Sequence, residues 1–386
     1  MHQWLNGSDD GSSSRTRKKR RRRLEAGGYA ALIGNTPLVE LRSLSQATGC
    51  RVFAKAEFLN PGGTSKDRVA LQMIEEAERT DRLRPGGTVV EGTSGSTGIA
   101  LAALCRARGY RCLIVMPDDQ AKEKVGLLRQ FGAEVEVVKP AGIANPNHYY
   151  NRARARAEEL GDAAAAGGGG DVNAVFMDQF ETAANFRAHY EGTGPEAWAQ
   201  LWDEHGLRPD AFVMSAGTGG SIAGVSRCWK ERDPNVRVFL VDPPGSALYN
   251  KVKHGVCYAA QQRERGVRRH RYDTIAEGIG LDRITANFAE ARVDDAFAVS
   301  DQEALEMAHF VLHHEGLFVG SSTAMNLVGA VLAARQLGPG HTVVTVLCDG
   351  GHRHLTRFWS PEFVGGVEGL AWPAAPPEDL AFVRPR

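Results

Sequence analysis

Lys66 is the residue whose type and setting point most directly to covalent chemistry. It follows Asn60-Pro61-Gly62-Gly63-Thr64-Ser65 and precedes Asp67-Arg68-Val69. Proline fixes φ and glycine favours turns, so the apolar run Val52–Phe58, read as a strand, must end in a turn here. Thr64 or Ser65 then reads as the cap of a helix through Val69, Leu71, Met73 and Ile74, with Glu75, Glu76 and Glu78 on its wet side. A lysine in that first turn meets the partial positive charge of a helix N-terminus, a setting that suits a neutral amine. The neutral amine is the form that condenses with carbonyl groups. Taken alone, a lysine in such a place reads first as a surface lysine after a loop.

Two other stretches change that balance. Glu91-Gly92-Thr93-Ser94-Gly95-Ser96-Thr97-Gly98 lies between a strand at Thr88–Val90 and a helix at Ile99–Arg108. Ser215-Ala216-Gly217-Thr218-Gly219-Gly220-Ser221 lies between a strand at Ala211–Met214 and a helix through Trp229. Both have the order strand, Gly/Ser/Thr loop, helix, which presents bare backbone N–H groups to an anion. The second loop also fits a dinucleotide fingerprint, Gly217-x-Gly219-x-x-x-Gly224, with Asp242 ending the next strand near the spacing of a ribose contact. Lys66 and the Thr93–Gly98 loop have no role in a dehydrogenase. The chain as a whole therefore favours pyridoxal phosphate (PLP), which needs an imine partner, a phosphate cradle and a partner for its ring nitrogen.

Together these stretches resemble the fold-type II PLP enzymes of the cysteine synthase (O-acetylserine sulfhydrylase) and cystathionine β-synthase family. The resemblance runs from about Ile33 to about Phe358. It is carried by Gly34-Asn35-Thr36-Pro37-Leu38-Val39, Asn60–Arg68, Thr93–Gly98, Gln179-Phe180 and Gly217–Ser221. It implies an α/β fold of two lobes, similar to the tryptophan synthase β-subunit, each with a central, mostly parallel sheet flanked by helices. It implies a homodimer that carries out β-replacement or β-elimination on O-acetylserine or cysteine, with sulfide as the second substrate. Lys66 would hold PLP and act as catalytic base. Gly217, Thr218, Gly219, Gly220 and Ser221 would cradle the phosphate, and Ser322 would face the ring nitrogen. Thr93, Ser94, Gly95 and Thr97, with Gln179, would grip the substrate carboxylate, and Gly278 of Glu277-Gly278-Ile279-Gly280 would form the rim. No metal site is implied. The sequence departs from the family at Ser96, where an asparagine usually reaches the cofactor ring hydroxyl, and at Glu91-Gly92, where a proline commonly precedes the loop. Cysteine synthase is the preferred activity. Cysteine desulfhydrase, a cystathionine β-synthase-like activity without its haem segment or regulatory module, and a non-catalytic paralogue acting as a binding protein are the alternatives.

The elements that must position these residues alternate from Cys50 onward, strand with helix, the pattern of parallel sheets covered on both faces. The reading divides the chain into a disordered basic tail (1–28), a larger cofactor lobe (29–60 and 181–358), a smaller lobe with the substrate loop (61–180) and an extended C-terminal tail (359–386). Ala163–Gly170 reads as a mobile low-complexity loop after a helix at Tyr149–Leu160. The run Arg15–Arg23 reads as a solvated tail or targeting remnant, or as a polyanion-binding patch. Lysine plus arginine and aspartate plus glutamate number 46 each, an even balance that gives no sign of a nucleic-acid partner for the folded part. The six cysteines form no C-x-x-C pair and read as reduced thiols. No apolar run is long enough for a membrane span. The expected location is intracellular, cytoplasmic or mitochondrial.

Overall fold

The computed structural model describes residues 27–93, 95–166, 173–259 and 274–384. The basic tail through residue 26, Ser94, and residues 167–172, 260–273 and 385–386 lie outside the described residues.

A six-stranded sheet has the order β1-β2-β10-β7-β8-β9. Its strands are β1 (Leu38–Glu40), β2 (Arg51–Ala56), β7 (Ala211–Ser215), β8 (Arg237–Asp242), β9 (Asp295–Ala298) and β10 (Thr342–Leu347). All neighbours are parallel except β1, which runs against β2. Side chains alternate between the two faces of a strand, and here both faces are buried. Val52 and Ala54 of β2, Val213 of β7 and Val241 of β8 enter one core with the helices Asp301–Glu315 and Ser321–Leu337. Phe53, Phe212, Met214 and Leu240 enter the other, with the helices Gly194–His205 and Gly220–Arg232. This two-sided burial explains why these strands read as continuous apolar runs.

A second, four-stranded sheet is wholly parallel, in the order β5-β4-β3-β6. It comprises β3 (Thr88–Gly92), β4 (Arg111–Pro117), β5 (Glu134–Val138) and β6 (Ala174–Phe176). The Lys66–Arg79 and Ser96–Arg108 helices cover one face. The helix Tyr149–Ala166 covers the other.

Several expectations need correction. The helix from Tyr149 runs on through Ala166, because alanine is the strongest helix former and only the glycines beyond it lack that propensity. The segment after Phe358 is not a free tail. It contains a short helix, Pro361–Gly365, and buries Leu380 and Val383 against the large-sheet core, where Arg335 donates to the carbonyls of both. Ser65, the N-cap of the Lys66 helix, makes no side-chain cap hydrogen bond; Thr64 Oγ1 instead accepts from the Lys66 N–H at 3.4 Å.

Candidate active site

The carboxyl ends of the parallel strands in both sheets open onto one cavity of about 730 Å³, the usual ligand position in open α/β sheets. The structure brings Lys66, Thr93, Ser96, Thr97, Gln179, Gly217, Thr218, Gly219, Ser221, Gly278 and Ser322 to its walls. Gly220 and Gly95 stand behind the wall. A Cβ on Gly220 would meet Asn185 Oδ1 at 2.0 Å, and one on Gly95 would meet Lys124 Cδ at 2.6 Å. Asp242 lies apart from the cavity. It accepts from the Tyr249 N–H at 2.7 Å, and burial raises its pKa to about 6.

Lys66 is the first residue of its helix, and the turn before it is fixed from several sides. Ser65 N–H donates to the Cys348 carbonyl at the end of β10. Asp67 accepts from the Thr64 N–H at 3.1 Å. One residue further, Arg68 lies between two carboxylates. Its Nε and Nη2 donate to Glu57 at 2.7 and 2.8 Å, and its Nη1 and Nη2 donate to Glu196 at 2.9 and 2.7 Å. Lys55 Nζ lies 3.1 Å from Glu196. Burial works against the charge on Glu57, but the Arg68 guanidinium and Lys55 outweigh it and lower its pKa. Thr36 Oγ1 donates to Glu57 and Gly34 N–H donates to Asn60 Oδ1. The three separated stretches 34–36, 57–60 and 66–68 thus form one buried polar network.

The substrate-loop residues form a chain. Thr97 Oγ1 donates to Gln179 Oε1 at 2.6 Å, and Gln179 Nε2 donates to the Gly92 carbonyl at 3.1 Å and to Glu91 at 3.3 Å. Glu91 is fully buried, and burial followed by the neighbouring Asp178 raises its pKa well above the ordinary value. Glu277, on the opposite rim, is held by the helix Lys122–Gln130 and by His354. Lys124 Nζ lies 3.2 Å from its carboxylate and His354 Nδ1 2.7 Å. His354 Nε2 reaches Asp349 at 3.1 Å.

The loop after β7 is a backbone cradle. Gly219 has φ +86° and is the N-cap of the helix Gly220–Arg232. A Cβ there would meet Phe288 Cβ at 2.6 Å, and one on Gly217 would meet the Gly278 carbonyl at 2.0 Å. Gly224, the third glycine of the fingerprint-like pattern, serves packing. A Cβ on it would strike Phe186 O and Tyr190 N at 2.6 Å, so its absence lets the segment 186–190 lie directly on the helix.

The pattern of this chain matches the family model described as "Pyridoxal-phosphate dependent enzyme" over residues 29–349. The chain belongs to the pyridoxal-phosphate-dependent enzymes. It is 50% identical over 342 residues to cysteine synthase 2 of Schizosaccharomyces pombe, covering 87% of this chain and 84% of that protein. It is 48% identical to a putative mitochondrial cysteine synthase of Saccharomyces cerevisiae, covering 86% and 84%. The crystal structure of a hydrogen sulfide-producing enzyme from Fusobacterium nucleatum superposes with a TM-score of 0.70 at 30% identity, covering 85% of this chain and 99% of that one. The fold is that of the type II PLP enzymes.

The residues of this PLP enzyme fit its cofactor. The cradle is closed to side chains at Gly217, Gly219 and Gly220, leaving backbone N–H groups at a helix N-terminus for an anion. Lys66 faces the same cavity.

Three groups of supporting residues had no signal in the sequence. Asn326 ties the ends of β7 and β10 together beneath Ser322, accepting from Ser215 N–H at 2.7 Å and donating to the Val346 carbonyl at 2.9 Å. Asn185 and His189 stand behind the cradle hydroxyls. His354 and Asp349 complete the rim cluster. Nothing in the residues around each of them marks it along the chain, and only the tertiary contact reveals it.

Proposed function

We propose that this PLP enzyme is a cysteine synthase, exchanging the acetoxy group of O-acetylserine for sulfide to give cysteine and acetate. One observation carries the reading. Lys66, the glycine cradle and the Thr97–Gln179 pair open on a single cavity in a chain 50% identical to a cysteine synthase over most of its length. When bound, PLP supplies the electron sink that acidifies the substrate α-carbon. The Lys66 amine holds the cofactor and, once displaced by the substrate amine, takes up the α-proton as general base. Thr93, Ser94, Gly95 and Thr97, with Gln179, hold the substrate carboxylate, and Gly278 closes the rim. Ser96, on the cavity wall, would face the cofactor ring hydroxyl. Gly217 to Ser221 hold the phosphate. Ser322 offers the ring nitrogen a neutral hydroxyl, which cannot keep it protonated as a carboxylate would, and a weaker sink suits loss of a β-substituent over transamination. The C–O bond to acetate breaks, a C–S bond forms and the α-proton returns from Lys66, so no redox partner is required.

A second reading, sulfide release from cysteine by the same residues, draws on the likeness to the sulfide-producing enzyme and on the short arm of Ser96. The two readings are separated by incubating the purified enzyme with O-acetylserine and sulfide, or with cysteine alone, and measuring cysteine and sulfide. Borohydride should fix the cofactor to Lys66, and Lys66→Ala should lose both activities. A labelled peptide that lacks Lys66 would refute the assignment.

The chain is further read as a homodimer. Leu32 and Leu59 are exposed at 63% and 56%, on turns joined by the Gly34–Asn60 hydrogen bond, and they offer an apolar face. Ile33 and Leu38 are buried within the protomer and are not available for that face. The smaller lobe is taken as residues 61–180 and the larger, cofactor lobe as 29–60 and 181–358. No helix among the described residues is long and apolar enough to cross a membrane. A location in the cytoplasm or mitochondria draws on the relative named mitochondrial.

A further inference from the structure

The two hydroxyls of the cradle are each held from behind by one short segment. The helix Ala183–Ala188 runs into a π-helical turn, His189–Thr193, a local widening that often marks a functional position. Asn185 and His189, four residues apart, point from it to the loop after β7. Asn185 Nδ2 donates to Thr218 Oγ1 at 2.8 Å and to the Gln179 carbonyl at 2.8 Å. His189 Nε2 lies 2.9 Å from Ser221 Oγ, and its Nδ1 lies 2.9 Å from Thr193 Oγ1. Asn185 is 0% exposed and His189 1%.

These contacts carry a direction. A carbonyl can only accept, so the Gln179 carbonyl fixes the Asn185 amide with its nitrogen toward Thr218. Thr218 Oγ1 must therefore accept from Asn185, and its single proton is left to be donated elsewhere. At Ser221 both partners of the His189 ring are hydroxyls, so the direction there follows from the phosphate assignment. For its proton to reach a phosphate oxygen, Ser221 Oγ must accept from His189, which puts a proton on Nε2 and makes Nδ1 the acceptor of the Thr193 hydroxyl. Burial, with a lesser contribution from Lys66, pushes the His189 pKa down to about 3, in keeping with a neutral ring.

We propose that Asn185 and His189 are positioning residues that aim the hydroxyl protons of Thr218 and Ser221 at the cofactor phosphate. This rests on the assignment of the 217–221 loop to that phosphate. The loop then presents donors only. A hydroxyl turned the other way would set a lone pair against an anion. The relay also ties phosphate binding to the substrate side, because the Gln179 carbonyl that orients Asn185 belongs to the residue paired with Thr97.

The test titrates full-length apoenzyme with PLP and, in parallel, with pyridoxal, which lacks the phosphate, following absorbance and fluorescence and checking each variant by thermal melting. His189→Ala and Asn185→Ala are each expected to weaken PLP by about tenfold, the net worth of one hydrogen bond, and to leave pyridoxal affinity unchanged. His189→Gln, whose amide nitrogen stands near the position of Nε2, should recover PLP affinity to within about threefold. In a Ser221→Ala background the His189→Ala effect should disappear. If His189→Ala does not fold, Thr193→Val carries the same test. It removes the donor that keeps Nδ1 an acceptor, and is expected to weaken PLP but not pyridoxal. Equal losses for PLP and pyridoxal, or a His189→Ala effect undiminished by Ser221→Ala, would overturn the proposal alone. Unchanged PLP affinity in both Ser221→Ala and Thr218→Val would instead overturn the phosphate assignment, and the proposal with it.

Discussion

Replacing Arg68 tests whether the helix that presents Lys66 is held by charge pairing or by packing. Arg68 is 5% exposed, and Glu57, its nearer partner, is fully buried. The guanidinium supplies four hydrogen bonds of 2.7 to 2.9 Å to the two carboxylates. In Arg68→Met, Glu57 would retain only the Thr36 hydroxyl at 2.7 Å and the Asn60 amide at 3.0 Å, and Glu196 would retain Lys55. Removing one partner of a buried pair costs about 3–5 kcal/mol, because the remaining charge stays desolvated. A value near the lower end is expected, since Lys55 and the neutral donors remain. Arg68→Lys keeps the charge but not the planar fork, and should lose less. The assay is urea unfolding at pH 7, followed by far-UV circular dichroism with cofactor bound. The Glu57 pKa is lowered on folding, so its contribution is present above the unfolded value of about 4.5 and is lost as pH falls below it. The gap between wild type and Arg68→Met should therefore narrow in acid. A loss under about 1 kcal/mol at pH 7, or a gap that does not change with pH, would show that packing alone holds the helix.

Three further outcomes are expected. Ser96→Asn should raise the ratio of cysteine synthesis to sulfide release by up to about tenfold, the worth of one aligned hydrogen bond to the cofactor, and an unchanged or lower ratio measured on one preparation would remove Ser96 as the determinant. Gly219→Ala, at φ +86° and 2.6 Å from Phe288, should cost about 1–3 kcal/mol in overpacking and impair PLP uptake; uptake equal to wild type would mean that the cradle is not as tight as its geometry. Burial opposes the charge on His354, but Asp349 and Glu277 outweigh it and raise its pKa, so the stabilisation it gives is full below about 6.5 and is lost as pH rises through the higher folded value. His354→Asn should flatten that decline in a series of melts from pH 6 to 9, and a decline as steep as that of wild type would contradict the assignment.

The sequence by itself determined the alternation of elements, the family and the loops that carry Lys66, Thr93–Thr97 and Gly217–Ser221. These are legible because they depend on local physics. Apolar runs mark strands buried on both faces, and Pro61 with the glycines beside it dictates a turn whatever surrounds it. The short strands β1, β6 and β9 left no such signal, since three or four residues carry too little periodicity to read. The reach of the Tyr149 helix to Ala166 was obscured by the low complexity of its end, and the docking of Leu380 and Val383 by a proline-rich setting. Only the tertiary structure decided which polar side chains stand behind the chemistry. Asn185 lies 33 residues from Thr218, His189 32 from Ser221, and Arg68 128 from Glu196. Hydrogen bonds and ion pairs act over a few ångströms of space and have no period along the chain. A buried histidine or asparagine therefore looks like any other until folding brings its partner within reach.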